Sequence, residues 1–212
     1  SGVGKSTLLR TIAGLIPPVS PTEIRAHDGS GLKARVAYMA QQDLLLPWLS
    51  AIENVSLGAR LRGERADQAR AADILARAGV AERANALPAA LSGGERQRVA
   101  LARTLMEERP IVLMDEPFSA LDAITRTRLQ DLAVDLLASR TVVMVTHDPF
   151  EALRLADAIF VLRDNRAGPT QSPIIPSGPT PRDPTDPALR ESHRMIMQRL
   201  TDGTDRAEGG PA

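Results

Sequence analysis

Ser1-Gly2-Val3-Gly4-Lys5-Ser6-Thr7 runs directly into the amphipathic stretch Leu8-Leu9-Arg10-Thr11-Ile12-Ala13, and this junction decides the fold. The first seven residues match the closing half of the motif G-x-x-x-x-G-K-[ST]. Glycines in that motif leave backbone N–H groups free to wrap a polyphosphate, the lysine meets the terminal phosphates, and the hydroxyl residue holds Mg²⁺. A helix that begins at Lys5 adds a favourable dipole for anions. A nucleotide is therefore the ligand to expect, with Gly2, Val3, Gly4, Lys5, Ser6 and Thr7 around its phosphates and Ser6 on the metal. The other reading is a glycine-containing turn before a helix. The motif's first glycine and the strand that precedes it are missing, and residue 1 is not Met, so the sequence is expected to be a piece of a longer protein.

Working outward, the pattern alternates between helix and strand. Leu8, Leu9, Ile12 and Ala13 share one side of a helix that Gly14 and Pro17-Pro18 end. Strands are expected over residues 35–39, 111–114, 141–145 and 158–162, with a weaker one near 23–25. Between the second and third, Leu129, Leu132, Ala133, Leu136 and Leu137 fall at i, i+3, i+4, i+7, i+8, the spacing of a helix face. Asp148-Pro149-Phe150-Glu151 starts another helix, with Asp as N-cap and Pro at the first helical position. Short apolar strands separated by helices imply an α/β fold with a parallel, doubly covered sheet. Residues 43–109 interrupt the alternation with helical pattern and are expected to form an inserted subdomain. The core is then 1–42 plus 110–166. From residue 167 the composition changes: seven of the 16 prolines lie between Pro169 and Pro187. That stretch reads as a linker or strap, followed by a short helix from Asp186-Pro187 with Leu189, His193, Ile196 and Leu200 on one face. Residues from Thr201 onward read as disordered.

Bulk composition narrows the function. The chain has 212 residues, 26 Lys plus Arg against 26 Asp plus Glu, and no Cys. Zero net charge lacks the basic footprint of a nucleic-acid binder, so no nucleic-acid partner is expected. Absence of Cys excludes disulfides and thiolate zinc sites and fits a reducing compartment. The longest apolar runs are far too short to cross a bilayer.

Three further constellations carry chemistry. Ile111-Val112-Leu113-Met114-Asp115-Glu116 is a buried strand ending in two carboxylates, at the edge where open α/β sheets bind ligands. Asp115 can hold Mg²⁺ through water, and Glu116 can take the proton from an attacking water. Solvated charges at a strand end are the alternative. Leu91-Ser92-Gly93-Gly94-Glu95 contains S-x-x-E, a capping box, before a helix carrying Val99, Ala102, Leu105 and Met106. Capping accounts for Ser92 and Glu95 but not for two first-turn glycines, each unfavourable by up to about 1 kcal/mol. Bare backbone at a helix start suits close approach of a phosphate. Val145-Thr146-His147-Asp148 ends the next strand, and His147 is read as a γ-phosphate contact. His27 and His193 are read as structural. Gln41 follows the strand 35–39, where an amide can orient water or join the Mg²⁺ shell. The apolar run Leu44-Leu45-Leu46-Pro47-Trp48-Leu49 holds the only Trp. It reads equally as subdomain core or as a docking surface for another protein.

In this order the pieces resemble the ATP-binding subunit of ABC transporters. Residues 1–7 are similar to the latter part of Walker A, Gln41 to the Q-loop glutamine, and Leu91–Glu95 to the signature. Residues 111–116 resemble Walker B with its catalytic glutamate, Ser119-Ala120-Leu121-Asp122 the D-loop, and His147 the H-switch. The resemblance implies a P-loop NTPase sheet flanked by helices, with an inserted helical subdomain and its first strands missing. It implies two subunits packed head to tail, so that Ser92, Gly93 and Gly94 of one close over the ATP held by Lys5, Ser6 and Thr7 of the other. Glu116 would polarise water, His147 and Gln41 would sense the γ-phosphate, Asp122 would couple the two sites, and Ser6, Gln41 and Asp115 would hold Mg²⁺. A separate membrane permease and, indirectly, a solute-binding protein are the implied partners, with the chain peripheral at the cytoplasmic face of the inner membrane. Gln41-Gln42-Asp43-Leu44-Leu45-Leu46-Pro47-Trp48 and residues 115–122 resemble importers of the nitrate/sulfonate/taurine group. Met39-Ala40-Gln41-Gln42-Asp43 and Ala123-Ile124-Thr125-Arg126 resemble the members that import hydroxymethylpyrimidine. The aromatic residue that stacks on adenine lies upstream of Walker A in this family and is absent here, so the isolated fragment is expected to bind ATP poorly and to fold marginally. Three rivals stand beside this reading. A chromosome-organising ATPase would need a long coiled coil between Lys5 and Ser92, a translation-associated one would need two cassettes, and an inactive remnant would act only as a binding or regulatory piece.

Overall fold

A computed structural model describes residues 4–162 and 172–201. The described chain divides into two compact units, one containing residues 6–145 and the other residues 146–162 and 172–201 together with Gly4 and Lys5.

The larger unit is built on three parallel strands, β1 (Val36–Met39), β2 (Ile111–Asp115) and β3 (Thr141–Val145), in the order β1-β2-β3. Their register pairs Met39 with Met114 and Asp115 with Val145, so the carboxyl ends of neighbouring strands are aligned. Central β2 is buried from Val112 through Asp115, as an unbroken apolar run in a parallel sheet should be. Helix α1 (Lys5–Ile12) lays fully buried Leu9 against Leu113 and Val145, with Ile12, Ala13, Tyr38 and Val143 around them. Burying that leucine is worth about 2 kcal/mol.

The connection from β1 to β2 runs through α2 (Ala51–Val55), α3 (Leu57–Leu61), α4 (Gln68–Arg77) and α5 (Gly93–Met106). Helices α2 and α4 pack on α5; Ala51, Val55, Ala71, Ile74 and Leu75 are buried in the first two helices, and Val99, Leu101, Ala102 and Leu105 in α5. Two capping boxes start this layer, Ser50 with Glu53 on α2 and Ser92 with Glu95 on α5. The return from β2 to β3 is α6 (Ala123–Leu137), capped by Asp122 and buried along Leu129, Leu132, Ala133 and Leu137, the face expected from spacing.

Two strand expectations fail. Residues 23–25 contribute only a single bridge, Arg25 to Gly31. Residues 158–162 likewise give one antiparallel bridge, Ile159 to Ile174. The proline-bearing stretch supplies the partner there, and proline limits a ladder to isolated pairs. Nor is the sheet covered throughout. β3 is exposed at Thr141 and Val142, because no described strand lies on its other edge.

In the smaller unit, Asp148 caps α7 (Pro149–Leu155) by accepting from the amides of Phe150 and Glu151. A short 3₁₀ turn leads into α8 (Arg190–Thr201), which packs on α7. Leu153, Ile159, Ile174 and Ile196 make its core. The proline-rich stretch is a packed strap: buried Arg182 donates to the carbonyls of Leu153, Ala156 and Ser177. The expected disorder after residue 201 lies outside the described residues.

Candidate functional site

β2 ends in the sharpest local anomaly of the larger unit. Asp115 is 1% exposed, and neither carboxylate oxygen has a hydrogen-bond partner among the described residues. Burying an unpartnered carboxylate costs on the order of several kcal/mol. Such a group is retained where something absent from the chain completes it. The next residue, Glu116, has φ of +52°, a left-handed conformation that costs a non-glycine residue about 1–2 kcal/mol. Its amide donates to the Val145 carbonyl at 2.9 Å, and its own carbonyl accepts from the Ser119 amide and hydroxyl. Backbone bonds on both sides hold the strained residue, and the reversal it makes turns the chain out of the strand immediately after Asp115. Gln97, buried on α5, donates to the Pro117 carbonyl at 3.0 Å and braces the same turn.

Gln41 is exposed two residues beyond β1, at the same carboxyl edge of the sheet. Ser6 and Thr7 lie in the first turn of α1, whose Leu9 packs against Leu113 in the middle of β2 and Val145 at the end of β3. Ser1, Gly2 and Val3 are outside the described residues. Gly4 has φ of +84°, which glycine adopts without strain, and Lys5 begins α1. His147 belongs to the smaller unit, exposed in the turn before α7.

The start of α5 is built differently. Ser92 accepts from the Glu95 amide at 3.2 Å, and Glu95 accepts from the Ser92 amide at 2.7 Å and from Arg83 at 3.1 Å. The Ser92 amide bond, its hydroxyl and then Arg83 hold the Glu95 carboxyl down at about 2. Ser92 and Gly93 are exposed. A Cβ at Gly93 would meet only the end of Arg96 at 4.0 Å, and one at Gly94 only the Ala120 carbonyl at 3.7 Å. Both are ordinary contacts, so nothing among the described residues demands either glycine. Asp122 lies exposed at the start of α6, its carboxyl held below the usual range by the Thr125 amide.

Mg²⁺ suits these donors. It takes one or two carboxylates plus phosphate and water rather than a cage of side chains. Among the described residues no cluster of three or more metal-ligating side chains occurs, while Asp115 offers a buried, unsatisfied carboxylate at the end of β2.

Sequence reading missed three features here. Gln97 shares the helix face of Leu101, Thr104 and Leu105, and a polar residue on an apolar stripe was the available signal. Asn54, fully buried on α2, gave the same signal beside Ala51 and Val55. The left-handed Glu116 had none, since side-chain type does not reveal it.

A parallel sheet with a Gly-Lys-Ser-Thr helix start and acidic strand end defines a P-loop NTPase. The family model for ABC transporters matches residues 1–119, and the chain belongs to that family of ATP-binding, ATP-hydrolysing proteins. It is 44% identical over 204 residues to an uncharacterized ABC transporter ATP-binding protein of Haemophilus influenzae, covering 94% of this chain and 84% of that one. It is also 42% identical over 202 residues to an aliphatic sulfonates import ATP-binding protein of Paracoccus denitrificans, covering 94% and 79%. Among solved structures it is similar to a dimeric post-hydrolysis state of an ATP-binding cassette bound to ADP and Pi. That match has a TM-score of 0.67 and 34% identity, over 76% of this chain and 77% of the other.

Proposed function

We propose that the chain is the ATP-hydrolysing subunit that powers solute import through a separate membrane permease, closing on ATP as a pair of copies and reopening after hydrolysis. The observation that carries this reading is the buried Asp115, unpartnered among the described residues, followed by the strained, left-handed Glu116. Lys5, Ser6 and Thr7, with Gly2, Val3 and Gly4, hold the phosphates. Ser6, Gln41 and Asp115 hold Mg²⁺, which when bound supplies charge neutralisation on the phosphate oxygens. Glu116 accepts the proton of the attacking water. His147 and Gln41 meet the γ-phosphate, and Asp122 links the two copies. The two glycines at the start of α5 serve the nucleotide of the partner copy, which accounts for two residues that the packing of the described residues leaves unexplained.

In this reading residues 43–109 are the inserted signature-bearing subdomain, 1–42 and 110–166 the ATPase core, and 167–212 a tail. No helix among the described residues is long and apolar enough to cross a membrane. In this reading the subunit sits peripherally at the cytoplasmic face of the inner membrane and the permease is another polypeptide. A solute-binding protein completes the system. Relatives named for aliphatic sulfonate import support a small sulfonate anion as solute. A second reading is an inactive remnant that only binds or regulates. Phosphate release from Mg·ATP separates the two. Glu116→Gln is expected to lower it at least about 100-fold while nucleotide binding is kept. Undiminished turnover removes Glu116 as the base, and no turnover in the unmodified chain supports the remnant.

A further inference from the structure

The segment that follows Gln41 combines exposed apolar side chains with an unusually restrained backbone. Trp48 is 70% exposed and Leu44 58%. Leu44 also sits at φ +46°, a conformation unfavourable for a branched residue. A surface loop of this kind is ordinarily mobile. Here the Arg103 guanidinium spans two successive carbonyls, Leu44 at 2.9 Å and Asp43 at 2.6 Å. Arg96 donates to the Asp43 carboxylate at 3.1 Å, and that carboxylate's other oxygen accepts from the Leu45 amide at 3.2 Å. Downstream, fully buried Asn54 accepts from the Leu46 amide at 2.8 Å and donates to the carbonyls of Leu46 and Leu49. Both arginines belong to α5, seven residues apart and so on one face. Burial pushes the Arg103 guanidinium pKa down, opposed by the charge of Asp43. Arg103 is therefore partly desolvated, while the Arg96–Asp43 pair beside it stays about a third exposed (38% and 31%).

We propose that Arg96 and Arg103 are positioning residues that lock residues 43–48 to α5, so that the Leu44–Trp48 surface and the helix start at Ser92-Gly93-Gly94 move as one body. This deepens the reading above and rests on the Ser92 helix start being a nucleotide-binding element. A fork across two carbonyls needs the planar guanidinium, and a lysine ammonium cannot reproduce it.

Trp48, the only tryptophan in the chain, reports on the segment directly. Amide hydrogen exchange and acrylamide quenching of Trp48 are measured on the unmodified chain and on Arg103→Lys, Arg103→Met and Arg96→Gln. Exchange at amides 44–46 is expected to rise roughly tenfold in the Arg103 variants and about threefold in Arg96→Gln, with β2 amides unchanged. Adding Mg·ATP is expected to alter Trp48 quenching in the unmodified chain and not in Arg103→Lys, at equal nucleotide affinity. Unchanged exchange at 44–46 in Arg103→Lys overturns the proposal, and so does a Trp48 response to nucleotide that survives the substitution. If Arg103→Met fails to fold, Arg103→Lys and Arg96→Gln decide by the same readouts. If the unmodified chain binds no Mg·ATP, the exchange measurement alone decides the lock, and the nucleotide-site reading is tested on a chain extended upstream of Ser1.

Discussion

The end of β2 and the start of α5 are both read as nucleotide-handling elements, yet they are stabilised in opposite ways. At Ser92 every charge is answered: the cap hydroxyl, the Glu95 carboxylate and Arg83 satisfy one another. What is left bare is neutral backbone at two glycines that no neighbour crowds. At Asp115 a buried carboxylate goes unanswered and the next residue is strained. One element is complete and offers access; the other is incomplete and calls for a cation. Stability is surrendered at the strand end, where charge must be handled, and kept at the helix start, where only close approach is needed.

That contrast breaks first at Asp115. Asp115→Leu in the nucleotide-free chain is expected to raise unfolding free energy by about 1–3 kcal/mol in urea titrations, while abolishing stabilisation by Mg·ATP. A loss of stability instead would mean that the carboxylate is answered within the chain. Next comes Gly94→Ala, expected to stabilise the fold by up to about 1 kcal/mol through helix propensity. Phosphate release should fall at the same time, and retained turnover would leave the glycines without a role.

The smallest effect separates the two elements by pH. Glu95 titrates near 2 in the folded chain against an ordinary value of 4.5. A depressed carboxylate contributes stability that is present above its unfolded pKa and lost as pH falls through the folded one. The cap contribution is therefore whole above about pH 4.5 and gone near pH 2. Glu95→Gln should remove that slope from acid unfolding curves and leave a shallow residual capping benefit.

Much of this architecture was legible as periodicity and spacing. The face of α6, the cap and proline that begin α7, the capping box at Ser92 and the run of β2 all follow from local rules, because each is set by residues within two turns or one strand of each other. The strand expected at 158–162 failed for a nonlocal reason: its only described pairing partner comes from the strap. The strap itself reads as linker until Arg182 is seen buried among backbone carbonyls. The site divides along the same line. Sequence alone determined which groups are present: the Lys-Ser-Thr helix start, the paired carboxylates, the capped glycines and the histidine after β3. Only the tertiary structure decided that Asp115 lacks a partner among the described residues, that Glu116 turns left-handed, and that Arg103 reaches back some 60 residues to Asp43. Burial and hydrogen bonding are properties of what surrounds a residue, and for these three the surroundings are supplied by strands and helices distant in the chain.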